Sequence, residues 1–137
     1  MVPTLHEKDR VLLRVAGYNN PKKGDIVVVS APQFDDGPLV KRIIAVGGDN
    51  LDIDRATGMV SINGEVQYEP YISELIRDAG DWDYPIKVPE GFVFFMGDNR
   101  NGSTDSRDSE VGMQPVSNVI GKVFYRVWPI KDFGAVK

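Results

Sequence analysis

The chain has 137 residues, 42% hydrophobic and 26% charged, which suits one domain with an ordinary core and excludes wholesale disorder. Sixteen basic against twenty acidic residues leave a net charge of −4, the wrong sign for a general nucleic-acid binder, which must displace counterions from phosphate. With no cysteine and one histidine there is no disulfide, thiol nucleophile, zinc-thiolate or multi-histidine metal site, and little basis for a histidine triad.

Fourteen glycines and nine prolines break the chain into short β-branched and aromatic runs, which predicts an all-β, mostly antiparallel protein. Residues 11–15 alternate, with Val11, Leu13 and Val15 on one face. A turn at Pro21-Lys22-Lys23-Gly24-Asp25 delivers a buried strand over 26–30, and Asp36-Gly37-Pro38 leads into a strand over 39–46. Residues 59–68 read as a hairpin, because Asn63-Gly64 suits the two positive-φ positions of a type I′ turn. Residues 72–79 suggest one short helix. Strands over 92–96 and 120–128 complete the set. The polar, turn-rich stretch from about 49 to 90 is a candidate inserted subdomain, within which Trp82 and Tyr84 are amphipathic rings suited to a membrane interface or to the core. The longest apolar runs are far short of the roughly 20 residues that cross a bilayer, and no signal-peptide pattern is present.

Three segments carry candidate chemistry. Lys41 alternates with Leu39, Ile43 and Ala45, all apolar. An ammonium on such a face loses hydration, so its pKa falls from about 10.4, and a lysine so tuned can act as a general base. From this segment alone, a snorkelling edge lysine that blunts aggregation is the commoner case. Residues 97–108, Gly-Asp-Asn-Arg-Asn-Gly-Ser-Thr-Asp-Ser-Arg-Asp, follow an apolar strand. They fit a rigid polar loop in which Asp105 pairs with an arginine and Ser103 faces a functional centre, or else a solvated turn. An EF-hand reading fails, because Gly97 and Asp108 fall where a carboxylate ligand and a glutamate belong. The third segment, Met1-Val2-Pro3-Thr4-Leu5, says little by composition. His6 beside it, and the acidic pairs Asp35-Asp36 and Asp52/Asp54, suit solvated surface.

Together and in this order, the segments resemble the bacterial type I signal peptidases. That family carries a Ser-Met-x-Pro-Thr-Leu box, a Lys-Arg box ending in Gly-Asp, a Gly-Asp-Asn-Arg-x-x-Ser-x-Asp-Ser-Arg box and a following Gly-Lys. Met1 to Leu5 match the first without its serine, Lys41-Arg42 through Gly48-Asp49 the second, Gly97 to Arg107 the third, and Gly121-Lys122 the last. Gly24-Asp25-Ile26-Val27-Val28 is also similar. The resemblance implies a serine endopeptidase that removes signal peptides from exported preproteins after small residues. Lys41 would be the general base of a Ser-Lys dyad and Ser103 its orienting partner. Asp105 and Arg107, with Arg100, would give ion-paired support. Met1, Leu5, Val28, Leu39 and Val40 would line shallow substrate pockets.

It further implies one extracytoplasmic domain over 1–137, an inserted β lobe over about 49–90, attachment to the bacterial cell membrane through an N-terminal anchor, and neither metal nor organic cofactor. The nucleophilic serine belongs immediately before Met1, so residues 1–137 read as a truncated, inactive form. The rival expectation is a pseudo-peptidase that binds peptides without cutting them. Against it, a desolvated lysine is costly to keep without a task. A self-cleaving repressor would bring a DNA-binding segment, which is absent, and an organellar processing peptidase is a further relative of the same type.

Overall fold

In the computed structural model, which describes residues 1–34 and 37–137, the backbone forms two antiparallel sheets and, among the described residues, no α-helix. Asp35 and Asp36, and with them the turn and acidic pair expected there, lie outside the described residues. The strands are β1 (Arg10–Arg14), β2 (Ile26–Val29), β3 (Leu39–Val46), β4 (Asn50–Ile53), β5 (Val60–Ile62), β6 (Glu65–Val66), β7 (Ile86–Lys87), β8 (Phe92–Met96), β9 (Gln114–Pro115), β10 (Val119–Trp128) and β11 (Gly134–Ala135). The larger sheet runs β1-β10-β2-β3-β8-β9, with β11 also on β10, and the smaller runs β6-β5-β4-β7. Every pairing is antiparallel.

The apolar runs explain the central strands. Strands β2, β3 and β8 are rich in β-branched and aromatic residues that fill both faces of the sheet. On one face Val27, Val29, Ile43, Val93 and Phe95 form a core with Val111 and Val119. On the other, Ile26 and Val28 pack with Leu5, Val40 and Val123. Farther along the sheet, Ile44, Ala45, Phe94 and Met96 pack against Leu51, Ile53, Val60 and Ile62 of the smaller sheet.

A bulge makes that third cluster possible. Ile43 stands opposite Phe95 and Ala45 opposite Phe94, so three residues of β3 face two of β8. The extra residue breaks the alternation expected for β3. Ala45 therefore joins Ile44 in the cluster under the smaller sheet, while Leu39 and Ile43 stay with the opposite face.

The hairpin forms as the sequence dictates: Asn63 and Gly64 have φ of 53° and 82°, and β5 pairs with β6. Residues 11–15 depart from the expected alternation. Strand β1 is an edge strand with two register shifts against β10, and Leu12, Leu13 and Val15 are all exposed. Residues 72–79 form no helix. Their polar backbone is hydrogen-bonded elsewhere: the Arg77 amide donates to Asn101 Oδ1 at 2.9 Å and the Leu75 carbonyl accepts from Asn101 Nδ2 at 3.0 Å. Trp82 and Tyr84 turn inward. Both pack against the cluster between the sheets, with the indole donating to the Ser106 carbonyl at 2.7 Å and the Tyr84 hydroxyl to the Ala79 carbonyl at 2.7 Å.

Candidate active site

Three stretches of chain meet beside β3 of the larger sheet. Strand β3 supplies Lys41 and Arg42 from its middle, where β2 pairs with it: Lys41 stands opposite Val27 and Arg42 opposite Ile26. Strand β8 ends at Met96 and turns into Gly97 and Asp98. The first residues of the chain, Met1 to Leu5, form a tight turn in which the Leu5 amide donates to the Met1 carbonyl at 3.0 Å.

The Lys41 Nζ donates to Ser103 Oγ at 2.7 Å. Lys41 is half-buried, and burial pushes its ammonium below the ordinary lysine value. The Asp105 carboxylate partly offsets that push, and the Arg107 guanidinium adds to it. Gly97 leaves the space in which this pair sits. A Cβ there would lie 2.2 Å from Ser103 Oγ and 3.5 Å from Lys41 Nζ, so any side chain would drive the serine away from the amine.

The loop behind Ser103 is fixed by a buried carboxylate. Asp105 accepts from Arg107 Nε at 2.8 Å and Nη2 at 2.9 Å, and from the Gly97 amide at 3.0 Å. Such fork-shaped pairing uses both carboxylate oxygens and sets the guanidinium plane. Arg107 Nη2 also donates to the Arg100 carbonyl at 2.7 Å. The side chain of Arg100 does not join this pair. Buried itself, it pairs with Glu69, beside Tyr71, whose hydroxyl is pushed up to about 12 by burial and by the Glu69 charge.

Sequence reasoning missed Asp98. It accepts from Arg42 Nε at 2.8 Å and Nη2 at 2.7 Å and from the Thr4 hydroxyl, while its own amide lies 3.4 Å from Met1 Sδ. One carboxylate thus ties the lysine-bearing strand, the turn after Gly97 and the first turn of the chain. Arg42 stacks 3.8 Å from the Tyr71 ring centroid, a favourable cation–π placement. The signal was the pattern Lys41-Arg42 with Gly97-Asp98, but only folding reveals that the second member of each pair meets the other.

The Met1 amino group lies in the same neighbourhood. Burial lowers it below the ordinary α-amino value, the Lys41 charge lowers it further, and Asp98 opposes both. Met1, Leu5, Val28 and Val40 gather in one apolar cluster with Ile26 and Val123. Leu39, grouped with them by sequence, packs instead against the cluster on the opposite face. Lys122 of Gly121-Lys122 forms an ion pair with Asp25 at 2.9 Å, and Asp25 also accepts from the Tyr18 hydroxyl at 2.6 Å. Among the described residues no group of His, Asp or Glu is arranged to hold a metal ion, and no helix is long and apolar enough to cross a membrane.

An amine and a hydroxyl in hydrogen-bond contact, borne on an antiparallel sheet, can exchange a proton. The family model for signal peptidase, peptidase S26, matches residues 1–128, and the chain belongs to that family of peptidases.

It is 37% identical over 139 residues to a probable thylakoidal processing peptidase 2, chloroplastic, of Arabidopsis thaliana, covering 94% of this chain and 36% of that protein. It is thus similar to about a third of that relative's length. A probable signal peptidase I-1 of Synechocystis is 35% identical over 144 residues, covering 98% of this chain and 69% of that protein. Signal peptidase IB of Staphylococcus aureus is 34% identical over 150 residues, covering 97% and 75%. Among solved structures, a signal peptidase I from Enterococcus faecalis superposes with a TM-score of 0.60 at 26% identity, over 75% of this chain and 96% of that one. The all-β expectation holds: the chain is built of antiparallel sheet and matches that structure.

Proposed function

We propose that residues 1–137 form the catalytic part of a serine endopeptidase that cuts signal peptides from exported preproteins after small side chains, with Lys41 as its general base. The observation that carries this reading is the 2.7 Å contact between Lys41 Nζ and Ser103 Oγ on an amine whose proton affinity is lowered by burial. A neutral amine at working pH can accept a proton, and a hydroxyl in hydrogen-bond contact holds its lone pair in one direction.

The nucleophile in this reading is a serine joined ahead of Met1, whose amino nitrogen feels the Lys41 charge. Lys41 takes the proton of that hydroxyl as its oxygen bonds to the scissile carbonyl carbon. The resulting ammonium returns the proton to the leaving amine as the C–N bond breaks, leaving an ester. Water, deprotonated by the same amine, then hydrolyses the ester and restores the serine. Ser103 orients Lys41, and Asp105 with Arg107 holds the backbone that carries Ser103. Substrate lies extended beside the sheet. The cluster of Met1, Leu5, Val28 and Val40 offers it shallow apolar contact suited to small residues. The stretch 49–90 is the inserted lobe, and the whole is the extracytoplasmic portion of a protein anchored in the membrane.

The test compares three proteins on a preprotein: residues 1–137, the same chain with serine ahead of Met1, and the same chain with alanine there. Only the serine form is expected to cut, and Lys41→Ala should silence it. Cleavage by the alanine form, or by Lys41→Ala, would overturn the dyad.

A further inference from the structure

We propose that Arg126, together with Asp9, is a positioning residue for the reaction: it fixes the turn formed by Met1 to Leu5, and through it the point from which a serine ahead of Met1 reaches Lys41. This rests on the dyad reading above. Arg126 lies in β10, opposite Val11 of β1 on one side and Gly134 of β11 on the other, so its backbone is held from both directions. Its Nη2 donates to the Thr4 carbonyl at 2.6 Å. Its Nε lies 3.5 Å from Asp9 Oδ2, and both side chains are largely buried, at 15% and 8% exposure. The same Asp9 oxygen accepts the His6 amide at 3.0 Å. Arg126 and Asp9 therefore grip the chain on both sides of Leu5.

Two further holds act on the same turn. The Thr4 hydroxyl donates to Asp98, and the Leu5 side chain is buried with Ile26 and Val123. Of these holds, the Arg126 contact is the one that fixes the Thr4 main-chain carbonyl, which shares a peptide plane with the Leu5 amide that bonds the Met1 carbonyl. The arrangement is a poor one for stability alone. Arg126 Nε is buried with no hydrogen-bond partner, and replacing Arg126 and Asp9 together by apolar side chains would avoid the desolvation cost of both charges. Arginine earns its place by aiming a donor at one carbonyl, which Met or Leu cannot do.

The experiment uses Arg126→Met, which keeps the apolar stem packing, and Arg126→Lys, which keeps one cationic donor. Both are made in residues 1–137 and in the serine-bearing form. In residues 1–137, Arg126→Met should raise hydrogen exchange of the Leu5 amide while the Phe95 amide in the core stays protected. In the serine form, a misplacement of about 1 Å predicts a loss of about a hundredfold in kcat. KM should stay within about twofold, because the lost interaction acts on the reacting geometry and not on substrate binding. Arg126→Lys should recover part of the loss. Unchanged Leu5 exchange, unchanged kcat, or a kcat loss that only tracks a fall in Tm would each overturn the proposal. Asp9→Asn, which keeps the His6 contact and removes the charge beside Nε, serves if Arg126→Met does not fold. Lys41→Ala in the same series separates the two readings. If it stays active, the dyad fails; if it is silent while Arg126→Met cuts normally, only the positioning role fails.

Discussion

At the scale of single residues, the dyad proposed above depends on how Lys41 is charged. Burial favours its neutral form, so the serine-bearing enzyme should be fully active above the lowered Lys41 value and lose activity as pH falls through it. Asp105 raises that value. Asp105→Asn should therefore let the amine fall further, moving the acid limb of the kcat/KM profile to lower pH. The same change strands the Arg107 guanidinium, whose Nε and Nη2 now contact that carboxylate. Removing one partner of a buried pair costs about 3–5 kcal/mol, which a urea titration would register as a lower midpoint. An acid limb that stays in place, or moves up, would contradict the assignment of Lys41 to it.

At the scale of elements, the segment from 74 to 82 behaves as a splint for the loop that carries Ser103. Arg107 Nη1 donates to the Asp78 carbonyl at 3.3 Å, the Asp81 amide to the Arg107 carbonyl at 3.2 Å, and the Trp82 indole to Ser106. Gly80 makes this approach possible: its φ is +85°, and a Cβ there would lie 2.1 Å from the Arg107 carbonyl oxygen. Gly80→Ala should separate the two segments, lowering stability by more than the roughly 1 kcal/mol of backbone strain alone. It should also lower kcat without touching Lys41; wild-type turnover in Gly80→Ala would show that the splint is dispensable.

These contacts also explain what sequence could and could not reveal. Strands β2 and β8 were legible because continuous apolar runs have few other ways to be buried, and the hairpin because Asn63-Gly64 fits few other turns. Residues 72–79 resembled a helix but gave their hydrogen bonds to Asn101, a partner 24 and 26 positions away. The side of the sheet taken by Ala45 depended on a bulge that alternation cannot foresee. Lys41 and Ser103 were visible through their motifs. The links from Asp98 to Thr4 and from Arg126 to Thr4 join residues 94 and 122 positions apart, and no local pattern encodes them.

At the scale of the whole molecule, polar groups are buried in a connected way. Arg42 with Asp98, Arg100 with Glu69, and Arg107 with Asp105 are all nearly inaccessible. Each pair must find its partner or leave a charge without solvent, so the region should form as a unit. The lowered Lys41 titration, followed by NMR across urea concentrations, is expected to vanish at the same midpoint as the sheet signal in circular dichroism. Two separate midpoints would show that the site loosens on its own.

Thr4, in the first turn, is held by two distant partners, the Asp98 carboxylate and the Arg126 guanidinium of β10. Until β10 joins the sheet, the Thr4 carbonyl therefore lacks its arginine, and the turn over Met1 to Leu5 is tethered by Asp98 alone among these two holds. The opening of the chain takes its final shape late, on instruction from a strand more than a hundred residues downstream.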